Sequence, residues 1–186
     1  MKADIAIVAA LDRLDGYASN GDIPWRLPED LKNFRRLTLG GTVAYGKATL
    51  KTLPDWRLQG RRNILLSATL AEQQRKEGDA RYVNLWVEPR PFAVPAQRRM
   101  EVAGDVREAL EMHRETGATG PLFVIGGTRA WEEASQIKSC SVIAFITRIM
   151  VDMKCDQHAD FSLPNLVHEG PIQFEPIPSR LEIWTN

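Results

Sequence analysis

The chain of 186 residues is 44% hydrophobic and 26% charged, a composition typical of one globular domain of ordinary size. Its 24 basic and 24 acidic residues balance, which argues against nucleic acid or an anionic membrane surface as a partner. The two cysteines, Cys140 and Cys155, lack the spacing of a metal site or a disulfide framework, which fits a reducing compartment. The first apolar run is too short for a membrane span and lacks the features of a signal peptide, so we expect a cytoplasmic protein.

Apolar runs and helical patterns alternate along the chain. A near-continuous apolar run at 5–10 predicts a strand that is covered on both faces. Further strand patterns lie at 42–45, 63–67, 82–87, 122–125 and 142–150, and helical patterns at 27–38, 46–53, 70–77, 105–116 and from 128 onward. This alternation predicts an α/β fold with a central, mostly parallel, twisted sheet and flanking helices.

The C-terminal end departs from the alternation. Segments 172–177 and 181–184 lie on either side of Pro178-Ser179, which predicts a terminal antiparallel hairpin. Residues 78–104 are the least regular stretch, because proline and arginine surround the strand pattern that they contain. We interpret this stretch as a surface excursion from one domain that spans residues 1–186.

Asp30 is the one acid on the apolar face of the helix predicted at 27–38. At helical spacing it shares a stripe with Leu27, Phe34 and Leu37, so the pattern aims its carboxylate toward the core. An unpaired buried charge costs on the order of several kcal/mol, so such a group is normally paired, protonated or functional. From this segment alone a structural role also stands, because an acid in the first turn, after Pro28, stabilises the free N–H groups there.

Two predicted strand-to-helix turns contain the residues of an anion site. They are Gly46-Lys47-Ala48-Thr49 and Gly126-Gly127-Thr128-Arg129. For either turn alone a tight structural turn is the better explanation, since neither has the three spaced glycines of the dinucleotide fingerprint. A parallel sheet brings both turns to one edge, so together with Asp30 they favour a nucleotide-type ligand.

In their order and spacing these residues resemble the dihydrofolate reductase family. The resemblance covers most of the chain and rests on Asn20-Gly21-Asp22-Ile23-Pro24-Trp25, Leu27-Pro28-Glu29-Asp30-Leu31, Gly60-Arg61-Arg62-Asn63 and Val124-Ile125-Gly126-Gly127. It implies reduction of 7,8-dihydrofolate to 5,6,7,8-tetrahydrofolate, with hydride transfer from NADPH to pterin C6 and protonation at N5. It also implies a monomer that supports one-carbon metabolism and thymidylate synthesis.

The resemblance implies a role for each of four polar or aromatic residues. The acid that matches Asp30 hydrogen-bonds the amino group and ring N–H of the pterin, and the threonine that matches Thr147 joins this network. A water admitted beside Trp25 delivers the proton. Burial should raise the pKa of Asp30, whereas the helix N-terminus and the pterin donors should lower it. Arg61 is implied to hold the substrate's glutamate carboxylate bidentately.

The other implied site residues form two groups. The residues that line the pterin and benzoyl pocket are Val8, Leu31, Phe34, Leu53, Leu58 and Ile125. The residues on the NADPH side are Ala10, Gly16, Ile23, Lys47, Ala48, Thr49, Ser67, Gly126, Gly127, Thr128 and Arg129.

Four positions depart from the family pattern. Lys47 stands where arginine is usual and Ala48 where a second basic residue is common, which weakens the expected preference for NADPH over NADH. Trp131 replaces a tyrosine that commonly follows the glycine turn, and Gln59 replaces a proline. The first three changes all fall on the cofactor side of the implied site.

Two alternatives stay open. One is a related NADPH-dependent pyrimidine reductase of riboflavin synthesis, against which Trp25 and Asp30 argue. The other is a catalytically inactive binding or structural protein of the same fold. The three histidines are singly placed in the sequence, so we expect no metal site.

Overall fold

The computed structural model describes residues 3–78, 81–87, 96–171, 173 and 175–186. The strands in these ranges are β1 (Ile5–Leu11), β2 (Gly16–Ala18), β3 (Thr42–Gly46), β4 (Arg62–Leu66), β5 (Tyr82–Val87), β6 (Ala96–Ala103), β7 (Leu122–Gly126), β8 (Val142–Ile149), β9 (Gln157–His158), β10 (Asn165–Glu169) and β11 (Ser179–Thr185). The helices are α1 (Pro28–Thr38), α2 (Lys47–Thr52), α3 (Ala68–Glu77), α4 (Val106–Arg114) and α5 (Thr128–Gln136), with a 3₁₀ turn at Pro54–Trp56.

Nine strands form one sheet in the order β10-β11-β8-β1-β7-β3-β4-β6-β5. All pairs from β8 across to β6 are parallel, whereas β10-β11, β11-β8 and β5-β6 are antiparallel. The predicted α/β fold with a mostly parallel sheet and a C-terminal antiparallel hairpin is therefore confirmed. Strands β2 and β9 form a separate small sheet beside the end of β1.

The central strands are apolar in nearly every position because helices cover both faces of the sheet. In β1, Ile5 and Ile7 belong to a core cluster that includes residues of α4 and α5. Ala6 points to the opposite face and belongs to a second cluster, which includes Leu50 of α2 and Ala71 of α3. Alternation of side chains along an extended strand therefore divides one apolar run between two cores.

The C-terminal hairpin is displaced from its predicted position. Its first strand is β10 (Asn165–Glu169), not 172–177, and in the predicted segment Gln173 makes only an isolated bridge to Ser179. Residues 172 and 174 lie outside the described residues. Prolines at 171, 176 and 178 lack the N–H that a ladder needs, so this stretch connects the two strands rather than forming one of them.

The region from 78 to 104 is also more regular than expected. Strand β5 confirms the predicted strand at 82–87, but the expectation of a purely irregular remainder is wrong, because β6 runs from Ala96 to Ala103. β6 pairs with β4 in parallel and with β5 in antiparallel fashion, so this hairpin ends the sheet. Residues 79–80 and 88–95 lie outside the described ranges.

Candidate active site

Asp30 lies in the first turn of α1 and faces the end of β8. Its Oδ1 accepts a hydrogen bond of 2.5 Å from Oγ1 of Thr147, which is the cross-strand neighbour of Ala10 on β1. Pro28 stands in the first turn, where a missing N–H costs nothing. Burial raises the pKa of Asp30 more than the Thr147 hydrogen bond lowers it, so the net shift is upward. The predicted neighbours Asp30 and Thr147 thus meet, in a setting that makes the carboxyl group easier to protonate than that of an exposed aspartate.

The predicted pocket residues lie along one face of the sheet. Val8, Leu53, Leu58 and Ile125 are all partly buried and pack against the same core cluster. They come from β1, the end of α2, the loop before β4, and β7, so the fold gathers them from four separate segments.

Two further pocket residues come from α1. Phe34 is partly buried, whereas the side chain of Leu31 is 60% exposed. An exposed leucine next to a half-buried carboxylate presents apolar surface at the mouth of a cleft, which suits contact with a flat ligand.

The guanidinium of Arg61 is held in place by hydrogen bonds to uncharged partners. Nε and Nη2 donate to Oγ1 of Thr38 over 3.2 and 3.1 Å, and Nη1 donates to the carbonyl of Gln59 over 2.8 Å. Thr38 itself donates to the carbonyl of Phe34, one helical turn earlier. Burial, and secondarily the charge of Arg35, lower the pKa of Arg61. Within the described residues Arg61 forms no ion pair, so its charge is available to an anionic ligand.

The two strand-to-helix turns come together as the sequence predicts. Parallel pairing of β3 with β7 places Tyr45 opposite Gly126. A Cβ on Gly126 would overlap the Thr49 side chain, and Gly127 has a φ of 86°, with the backbone of Gly46 about 4.0 Å from where its Cβ would lie. The second turn thus needs both of its glycines, Gly126 for close approach to α2 and Gly127 for its positive φ.

The polar cofactor-side residues are arranged around these turns. Lys47 and Ala48 are exposed at the start of α2, while Ser67 caps α3 by accepting from the N–H of Leu70 over 3.4 Å. Arg129 is directed along α5, where it forms an ion pair of 2.7 Å with Glu133. The lysine, the hydroxyls of Thr49 and Ser67 and the glycine backbone are donors suited to phosphate, whereas Arg129 is already paired.

The loop after β1 supplies the remaining predicted residues. Ala10 is half-buried at the end of β1, Trp25 is partly buried just before α1, and Ile23 is 56% exposed. Gly16 is buried, and a Cβ there would overlap Cys155. Close packing at this position therefore explains the glycine without any ligand.

Asp12 anchors this loop, and the sequence analysis missed it. The residue is fully buried; its carboxylate accepts backbone hydrogen bonds from Leu14 and Gly16 on one side and from Met153 on the other, over 2.7–3.0 Å. Burial raises the pKa of Asp12, but these bonds and one from the Cys155 thiol outweigh it and lower the pKa. The thiol partner lies 143 positions away, so no local pattern signals the contact.

Tyr17 is a second missed residue at the glycine turn. Its hydroxyl donates its one proton to Oε1 of Gln157 over 2.9 Å. In the 2.7 Å hydrogen bond with Oγ1 of Thr128, the threonine is therefore the donor and Tyr17 the acceptor. Its ring packs edge-on against Trp131, whose Nε1 donates to the carbonyl of Val124. Position 131 thus lacks the tyrosine that is common in the family pattern, but Tyr17 places a phenol hydroxyl beside the same turn.

The described residues contain neither a candidate membrane span nor a candidate metal site. None of the helices in these ranges combines the length and apolar character that a membrane crossing requires. In the same ranges, His, Cys, Asp and Glu side chains form no group of three or more that could hold a metal ion.

This fold and site define a class of α/β protein whose ligand crevice lies at the carboxyl ends of parallel strands. The family model for dihydrofolate reductase matches residues 4–85. Dihydrofolate reductase type 9 of Escherichia coli is 26% identical over 189 residues, covering 99% of this chain and 94% of that protein. The predicted resemblance to dihydrofolate reductases is thereby confirmed.

Two further comparisons extend the resemblance. The bifunctional dihydrofolate reductase-thymidylate synthase of Paramecium tetraurelia is 27% identical over 151 residues, and the match covers 81% of this chain but 27% of that longer protein. The solved structure of dihydrofolate reductase from Enterococcus faecalis, complexed with NADP(H) and RAB-propyl, aligns with a TM-score of 0.69. At 22% identity, over 98% of this chain and 96% of the other, that structure establishes a shared fold.

Proposed function

We propose that this chain is a dihydrofolate reductase, which uses NADPH to reduce 7,8-dihydrofolate to 5,6,7,8-tetrahydrofolate. The observation that carries the proposal is the hydrogen bond between Asp30 and Thr147, whose strand β8 pairs with β1, the strand of the predicted pocket residue Val8. A carboxylate and a hydroxyl in this arrangement suit the amino and N–H groups along one edge of a pterin. The family model and the named relatives support the same activity.

The substrate is proposed to lie along the cleft from Asp30 to Arg61. Asp30 binds the pterin edge, while Val8, Phe34 and Ile125 contact the apolar rings. The Arg61 guanidinium binds the terminal carboxylate in a planar, bidentate arrangement, which its bonds to Thr38 help to orient.

The chain has donors that fit NADPH. When bound, the cofactor supplies a hydride from C4 of its nicotinamide to pterin C6. Gly126 and Gly127 allow close backbone approach, and the lysine and hydroxyls at Lys47, Thr49 and Ser67 suit the phosphates. The lysine in place of an arginine predicts a weaker preference for NADPH over NADH.

Protonation at N5 is proposed to depend on Asp30 and on water beside Trp25. Burial makes the Asp30 carboxyl group easier to protonate, so small changes in its surroundings control its charge. A negative carboxylate stabilises the protonated pterin more than the neutral one, and this difference lowers the barrier to hydride transfer. The transferred proton comes from solvent.

We further propose that the protein works as a monomer in the cytoplasm and supplies one-carbon metabolism and thymidylate synthesis. Its balanced charge and its two free thiols support this setting, as does the small substrate.

The test is NADPH oxidation by the purified chain in the presence and absence of dihydrofolate. We expect oxidation that depends on dihydrofolate and produces tetrahydrofolate. An aminouracil ribose substrate, offered separately, distinguishes the pyrimidine reductase alternative. NADPH oxidation with the aminouracil substrate but not with dihydrofolate would favour the pyrimidine reductase instead. No NADPH oxidation with either substrate would favour the inactive alternative.

A further inference from the structure

A second opening to Asp30 lies on the side of the C-terminal hairpin. It is a cavity of about 180 Å³, lined by residues of α1, β8, β10, β11 and the connection between the last two strands. Asp30 and Thr147 form part of its wall. In the sheet, β11 and β10 lie beyond β8, away from the strands β1 and β7 that carry the proposed pterin pocket. The carboxylate therefore faces the pocket on one side and this cavity on the other.

The geometry of α1 explains why Asp30 has two open sides. At about 100° per residue, Leu31 and Phe34 project on one flank of Asp30, whereas Glu29 and Asn33 project on the other. Glu29 and Asn33 line the cavity. The helix thus separates an apolar flank that suits a ligand from a polar flank that suits water.

The cavity has the size and polarity that bound water requires. A water molecule needs roughly 10–15 Å³ of such space and two to four polar partners. Polar wall residues besides Asp30 are Asn33, Thr147, His168, Gln173 and Ser179. Several waters therefore fit, each within reach of donors and acceptors.

Two of the charged groups on the cavity wall form ion pairs with residues other than Asp30. The charged or titratable residues of the wall besides Asp30 are Glu29, His168, Glu175 and Arg180. Arg180 pairs with Glu169 at 2.5 Å and Glu182 at 3.0 Å, and Glu29 pairs with Lys32 at 2.5 Å. The cavity's arginine is thus already paired with two carboxylates, so it is not free to form an ion pair with Asp30.

Asp30 has unused capacity to accept hydrogen bonds from such water. Among the described residues its carboxylate has one partner, Thr147, although a carboxylate can accept about four hydrogen bonds. A pterin bound in the pocket removes water from the pocket side. The hairpin side then still gives water access to the carboxylate.

We propose that water in this cavity hydrates Asp30 from the hairpin side while substrate occupies the opposite side. The inference rests on the proposed function, since it assumes a ligand in the pocket. Water on the hairpin side of α1 thus controls how readily the Asp30 carboxyl group ionises.

The test compares Asn33→Leu with Asn33→Ala. Both variants remove the amide oxygen that accepts from Nη2 of Arg36 over 3.1 Å, but only leucine fills the cavity. The Asp30 titration is followed by carbon-13 NMR in protein labelled at aspartate carboxyl groups, with the signal assigned by its absence in Asp30→Asn. We expect leucine to raise the titration midpoint by about one pH unit, because lost hydration disfavours the charged form, and alanine to leave it nearly unchanged.

Equal midpoints in the leucine and alanine variants would overturn the inference. Gln173→Leu, which fills the cavity from the opposite wall, gives an independent measurement if Asn33→Leu does not fold. Titrations are made in the free protein and with folate and NADP⁺, where the leucine effect should be larger. Failure of these ligands to bind would count against the proposed function, whereas the free-protein titration would still decide the role of the cavity.

Discussion

At the scale of single residues, the guanidinium of Arg61, the proposed carboxylate-binding group, is held in place without a ligand. Three of its hydrogen bonds fix the plane of the guanidinium, and two of them end on the same threonine, Thr38. Ordering a long side chain in advance removes part of the entropy cost of binding. The proposed carboxylate site is therefore largely formed in the free protein.

Replacing Arg61 with lysine should weaken substrate binding more than turnover. Lysine keeps the charge but cannot form two parallel hydrogen bonds, and a charge-assisted bond is worth roughly 1.5–3 kcal/mol. We expect KM for dihydrofolate to rise about 10- to 100-fold with kcat nearly unchanged. Steady-state kinetics check this, with Arg36→Lys, at an exposed position on α1, as the control. A fall in kcat at constant KM would instead place Arg61 in the chemical step.

Residue-scale prediction depends on whether local spacing carries information. The helical stripe and the Leu-Pro-Glu-Asp-Leu segment identified Asp30, and the family resemblance supplied its partner Thr147, 117 positions away. Tyr17 and Asp12 were missed because their importance comes from contacts 111 to 143 positions away, made by loops without periodic patterns. A short loop sequence does not encode which distant atoms it will meet.

At the scale of elements, the meeting of β7 with α2 gives a test of the glycine turns. Alanine at Gly126 would place its Cβ against the Thr49 side chain, and overpacking of this kind typically costs about 1–3 kcal/mol. We expect Gly126→Ala to be destabilised in urea unfolding, and Thr49→Ala to restore most of the loss by removing the atoms that clash.

The affinity of these variants for NADPH should not follow their stability. The double variant should still bind NADPH more weakly than the wild type, because the proposed phosphate-binding hydroxyl is gone. Fluorescence titration with NADPH measures this. A double variant as unstable as Gly126→Ala alone would show that the clash lies elsewhere.

The anchor between β1 and the segment before β9 predicts a pH effect on stability. Hydrogen bonding lowers the pKa of Asp12 from its ordinary value of 3.8. The ionised carboxylate therefore stabilises the folded protein above pH 3.8, and this stabilisation is lost as the pH falls through the lower pKa of the folded state. Asp12→Asn should cost about 2 kcal/mol at neutral pH, since an amide cannot replace a carboxylate that accepts several N–H groups.

Unfolding free energies measured across acidic pH test the Asp12 anchor. The wild type should lose stability below pH 3.8 more steeply than Asp12→Asn does. Asp160→Asn, at an exposed position, is the control and should follow the wild type. Parallel curves for the wild type and Asp12→Asn would contradict the proposed anchor.

Element prediction worked best for the buried strands. β1 and β7 are nearly continuous apolar runs, and a parallel sheet covered on both faces requires such runs. β10 was misplaced because all five of its residues are exposed, so no alternation of apolar and polar residues distinguishes it from a loop. β6 was missed next to a proline-rich stretch, where the turn signals outweighed a weak strand pattern.

At the scale of the whole molecule, one sheet joins both ends of the described chain. β1 begins at Ile5 and β11 ends at Thr185, and only β8 separates them in the sheet. On this basis we propose that residues 1–186 form one domain. The proposed substrate and cofactor sites then lie on a single rigid sheet, so binding at either should stabilise the entire fold.

This coupling predicts that NADPH raises the unfolding temperature. A ligand at 100 times its dissociation constant adds about 2.7 kcal/mol to stability. We expect NADH to raise the unfolding temperature less than NADPH does at equal concentration. Lys47→Ala should reduce this difference between the two cofactors. Thermal unfolding followed by circular dichroism measures both. Equal shifts with the two cofactors would contradict the proposed preference for NADPH over NADH.

The central claim is that the Asp30 carboxylate binds and polarises the pterin. The most direct measurement is kcat for dihydrofolate reduction by Asp30→Asn and the wild type at neutral pH. Asparagine is nearly isosteric and keeps the partner Thr147, so we expect a folded variant whose kcat falls about 100-fold or more. Turnover by Asp30→Asn within a few-fold of the wild type would show that the carboxylate does not polarise the pterin.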